Sequence, residues 1–154
     1  MAKKSVPKVD WIIHYVCNGA KCADCGEVES GFINYACNAH THGMEKYNHL
    51  DFQVVLNLGP NEVGRILNTL GLRVQAGEKF KDGDMVKGIY EDCDVRLTEF
   101  EETDRKILRV VIPDKFNTFP DEKGCAWPYT NQALKTEQLS LRKPCAFKKG
   151  GFVQ

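Results

Sequence analysis

Apolar and polar positions along this chain repeat mostly with the period of a strand, and once with the period of a helix. Residues 11–17, WIIHYVC, are β-branched and aromatic and predict a strand. Residues 31–38 predict a second, with Ile33, Tyr35 and Cys37 sharing one face. Residues 51–58 predict a third, with Phe52, Val54, Leu56 and Leu58 on one side. Residues 86–90 and 93–100 read as two short strands, the second alternating Cys93, Val95 and Leu97 against Asp94, Arg96 and Thr98. Residues 106–112, KILRVVI, predict the last strand, stopped by Pro113. The helical period enters after Gly59-Pro60, which supply a cap and a proline for the first turn. Val63, Ile66, Leu67 and Leu70 then fall on one stripe, and Gly71 is placed as a left-handed terminator, giving one main helix at about 60–71.

Several strands are joined by connections too short for a parallel crossover. One covering helix and a mostly antiparallel, curled sheet make the expected fold class α+β. Residues 1–10 read as a flexible lead-in, 11–141 as a single domain and 142–154 as a basic tail, with a short helical turn near residues 136–141.

The chain has 154 residues, enough for one domain with a buried core. Lys and Arg equal Asp and Glu at 21 each, so no net field draws it to nucleic acid. No stretch reaches the roughly 20 apolar residues of a membrane span, and MAKKSVPKVD lacks the apolar core of a secretory signal. The expected location is the cytoplasm, where the seven cysteines stay reduced. A protein partner or a small molecule remains open.

Candidate chemistry is concentrated between Cys17 and His49, which hold four cysteines and three of the four histidines. Cys22-x2-Cys25 and, eleven residues on, Cys37-x2-His40 resemble the two chelating hooks of a zinc ribbon, with Cys17 and His42 as spare ligands. The competing reading is that the thiols are small buried residues. His40-Thr41-His42 places two imidazoles on one face of a strand, where they can chelate a metal or act as an acid–base pair. A two-histidine phosphoesterase needs a second His-x-Ser/Thr, and none follows His49. Nucleophile elbows, phosphate loops and zincin motifs are missing.

The run LNTLGLRVQAGEKF, the turn PDKFNTFP and the segment around His40-Thr41-His42-Gly43 together resemble domain of unknown function family 4262, a bacterial group, over residues 31–134. This chain has Gly43-Met44 and His49-Leu50-Asp51 where the family more often has Gly-Leu and His-Pro-Glu. The resemblance implies no activity. It draws attention to the polar residues His40, Thr41, His49, Arg73, Asp114 and Gln132, which would border one pocket together with Phe119 and Trp127. Three functional readings follow: a small zinc-stabilised binding domain, an enzyme with a histidine-based site around His40, His42 and His49, or an immunity or adaptor protein working by surface complementarity.

Overall fold

The structure is a computed structural model that describes residues 8–16, 36–102, 105–136 and 139. Six strands form one open sheet: β1 Ile12–Val16, β2 Ala36–His42, β3 Phe52–Leu56, β4 Met85–Val86, β5 Val95–Glu102 and β6 Arg105–Val111. Their order is β1-β2-β3-β6-β5-β4. All neighbours run antiparallel except β3 and β6, which pair in parallel through Phe52 with Leu108 and Gln53 with Arg109. The connection between those two carries the single long helix, α1, Pro60–Gln75. The α+β expectation therefore holds.

Helix α1 covers one face. Val63, Ile66, Leu67, Leu70 and Val74 pack onto Phe52, Val54, Leu56, Val95, Leu97, Leu108 and Val110. Gly71 does not end the helix as its position suggested. The Trp11 indole lies against it, and a Cβ there would sit 2.4 Å from Trp11 Cζ2. The glycine is a contact surface for an aromatic ring, and the helix runs about one turn further, to Gln75, with Gly77 at φ +113° just beyond its cap. Cys93 also departs from expectation. It precedes β5 and is only partly buried, so the inward stripe begins at Val95.

Period-two alternation sends the intervening residues to the other face. These are His14, Asn38, His40, His42, Gln53, Val55, Arg105, Ile107 and Arg109, with Phe100 and Glu102 opposite the last strand. Part of this face is closed by Leu134 and Leu139, which pack on Ala36 and Val55. Beside that small apolar cluster the face is polar. Strand β2 is longer on its C-terminal side than the sequence pattern suggested, so His40 and His42 lie within it rather than beyond its end. Residues 31–35, with Ile33 and Tyr35, lie outside the described residues.

Candidate metal centre

Antiparallel pairing places His14 of β1 directly opposite His40 of β2, with His42 two residues on along the same face. The rings of His14 and His42 lie 4.5 Å apart, those of His40 and His42 4.8 Å, and those of His14 and His40 5.8 Å. One ring nitrogen of each lies within 4.8 Å of the other two. Tetrahedral zinc needs imidazole nitrogens roughly 3.3 Å apart, given Zn–N bonds of about 2.0–2.1 Å. Histidine χ2 is a broad torsion, so the rings can turn toward a shared ion at little cost. Three nitrogen ligands plus one open position is the donor set of catalytic rather than structural zinc sites.

A chain of hydrogen bonds fixes which nitrogen of His40 carries the proton. Arg109 is fully buried and can only donate, so the oxygen of Gln53 accepts from its Nε, at 2.8 Å. Gln53 Nε2 then donates to Asn38 Oδ1 at 2.9 Å. The same oxygen lies 3.0 Å from His40 Nδ1, which must therefore carry the proton. Nε2 is left with its lone pair, the form a metal requires. Metal-binding histidines generally donate their second N–H to such an acceptor. Arg109 is held in turn by Glu102 at 2.8 Å and by the carbonyls of Gln132 and Leu134.

Electrostatics act in the same direction. His40 is buried, and its pKa is lowered to about 3. Desolvation is the main cause, followed by repulsion from His42, Arg105 and His14, with a hydrogen bond to the Asn38 backbone opposing. A neutral imidazole at physiological pH is ready to ligate without first losing a proton.

The residues singled out from the sequence take separate places. Cys37 and His40 project to opposite faces of β2, so strand geometry does not bring them together as one hook. Cys37 sits in the helix-side core, with its thiol 3.6 Å from the Val54 carbonyl. Cys17, Cys22 and Cys25 lie outside the described residues. Thr41 also faces the helix side. It donates to Asp51 at 2.8 Å and accepts from the Phe52 amide, tying β2 to β3. His49 packs on Phe52 and Phe80, and its Nε2 accepts from the Phe80 amide. Arg73 pairs with Glu78 through Nε and Nη2 and caps the Lys87 carbonyl.

Asp114 organises its own turn. Burial opposes its charge, but hydrogen bonds from the amides of Ala126, Thr118 and Phe116 together hold its carboxyl below the usual range. Gln132 bonds both backbone groups of Ile112, replacing a neighbouring strand beyond the end of β6. Phe119 lies beneath the Arg96 guanidinium and Trp127 is exposed. These residues do not converge on one cavity. Asp114 lines a cleft of about 380 Å³ with Tyr90 and Tyr129, at the opposite end of β3 and β6 from the histidines. Gln132 and Phe119 border two other depressions.

Sequence reasoning missed His14, Asn38, Gln53, Arg105 and Arg109. The usable signals were His14 at the centre of a strand and Arg109 within KILRVVI, a charge on the buried period of an apolar strand.

The family model described as "Domain of unknown function (DUF4262)" matches residues 11–126. The chain belongs to this family. The match begins twenty residues earlier than the motifs alone suggested, and it takes in all three clustered histidines. No curated protein and no solved structure matches the chain. No helix among the described residues is long and apolar enough to cross a membrane.

Proposed function

We propose that this protein binds a divalent transition metal ion, zinc foremost, through His14, His40 and His42, and that the family domain is a scaffold for an open metal centre. The observation that carries this reading is the convergence of three imidazole nitrogens within 4.8 Å, one of them held in its ligating tautomer by a buried relay. Three imidazole nitrogen donors suit zinc, and they also suit copper, nickel or iron, so the choice among these rests on availability and geometry. With three protein ligands, zinc would keep one position for exchange and supply Lewis acidity there. That favours the enzyme reading over a purely stabilising metal, which takes four protein ligands.

The test is metal analysis after equilibration with zinc and gel filtration, on the wild type and on His14→Ala, His40→Ala and His42→Ala. The expected result is a stoichiometry that falls by one ion per chain in each variant, while circular dichroism shows the fold retained. Unchanged stoichiometry in all three would place the zinc elsewhere and end the proposal.

A further inference from the structure

Arg105 opens β6 on the same face and at the same end of the sheet as the histidines. Two strands lie between its Cα and His14, and its Nη1 lies 3.4 Å from Oδ2 of Asp51, the residue before β3. Its charge is felt at His40. The opposite edge of the same guanidinium is unusual. Nε and Nη2 are both buried, and neither has a hydrogen-bond partner among the described residues. A buried donor left unpaired costs roughly 1–3 kcal/mol, more when charged.

That edge has a specific geometry. Nε–H and Nη2–H point in parallel and match the two oxygens of a carboxylate or phosphate. The protein uses this edge twice elsewhere. Arg65 grips Glu62 through Nε and Nη2 at 3.0 and 2.8 Å, and Arg73 grips Glu78 the same way at 2.9 and 3.0 Å. On Arg105 the fork has no acceptor among the described residues, and it lies on the face of the sheet that carries the three histidines.

We infer that Arg105 is the anchor for an oxyanion, and that the metal centre takes a ligand or substrate bearing a carboxylate or phosphate group. The anion would lie along the Nε/Nη2 edge, with its charge offset by the guanidinium and by an ion held at the histidines. A guanidinium beside a cation site raises repulsion unless an anion bridges the two, so the same group accounts for both features. Asp51, fixed by Thr41 and the Met44 amide, holds the other edge and sets the orientation of the fork. Arg105 is therefore a binding residue in this account. The inference rests on the metal reading for the second half of the site, but the fork itself does not need the ion.

The experiment follows the Arg105 Nε–H resonance of isotope-labelled protein, identified by its loss in Arg105→Lys, during separate titrations with inorganic phosphate and with acetate. Both are run on zinc-free and on zinc-loaded protein, with zinc content measured in parallel. The expected result is a saturable shift with at least one anion, tighter in the loaded protein. Arg105→Lys keeps the charge but loses the fork; with anion affinity of both proteins read by calorimetry, because the variant lacks the resonance, it should weaken the anion by roughly tenfold or more while zinc content is unchanged. Whichever anion binds more tightly identifies the source. No saturable shift with either anion, or equal affinity in Arg105→Lys, overturns the inference. If zinc fails to bind but the resonance still titrates, the metal reading falls and the anion site stands. If zinc binds and the resonance does not move, the reverse holds.

Discussion

The tautomer of a single histidine is set here by a residue two strands away. Arg109 can only donate, and that constraint passes through Gln53 and Asn38 to His40 Nδ1. Removing the acceptor should release the ring. Asn38→Ala is expected to weaken zinc by roughly 10–100-fold, the usual effect of losing such a partner. Asn38→Asp keeps the acceptor and should bind close to wild type. Equilibrium titration with a chromophoric zinc chelator distinguishes the two, and equal loss in both variants would mean the tautomer is not controlled this way. The same residue gives a pH signature in the metal-free protein. His40 has a folded pKa of about 3 against 6.5 unfolded, so the unfolded state binds the extra proton between those values. Stability should therefore be complete above pH about 6.5 and fall as pH drops through the window toward 3. Urea midpoints across that range measure it, and His40→Gln should flatten the slope. A slope unchanged by that substitution would show that other groups carry the acid sensitivity.

At the scale of elements, Trp11, the residue before strand β1, ties that end of the sheet to helix α1. Trp11 donates from Nε1 to Asn68 at 2.9 Å and lays its ring on Gly71. Gly71→Ala gains about 1 kcal/mol of intrinsic helix preference. It also drives a Cβ to 2.4 Å from the indole, and overpacking of that kind costs about 1–3 kcal/mol. The net expectation is destabilisation, read as a lowered thermal midpoint; a rise would show that Trp11 moves aside freely. Leu67→Ala, at the centre of the buried stripe, should cost about 2–5 kcal/mol. Glu62→Ala, on the exposed side of the same helix, loses a surface ion pair with Arg65 at 2.8 Å and should cost much less. The stripe was legible because Val63, Ile66, Leu67 and Leu70 repeat at the helical period. The helix end was not, because a glycine that terminates a helix and one that receives an aromatic ring look identical in sequence. His14 was hidden for a related reason. Its register against His40 depends on the long segment between β1 and β2, and no local pattern encodes that register.

For the whole molecule, the two faces of the sheet divide the labour. The helix side is an apolar core, and the other side carries a buried charge pair, Arg109 with Glu102, beneath a ring contact to Phe100. Removing one member of such a pair strands the other, at about 3–5 kcal/mol. Glu102→Gln should therefore destabilise the fold and also weaken zinc, since Arg109 anchors the relay to His40. Stability and zinc affinity that change independently across Glu102→Gln and Arg109→Met would break that link.

The metal reading stands or falls on the identity of the ligands, since the chain offers sulfur as well as nitrogen donors. X-ray absorption spectroscopy of the zinc-loaded protein tests it directly. Binding by the three histidines gives nitrogen or oxygen neighbours at about 2.0–2.1 Å, with the multiple-scattering pattern of imidazole and no sulfur shell. A sulfur shell at about 2.3 Å would assign the metal to the cysteines and contradict it.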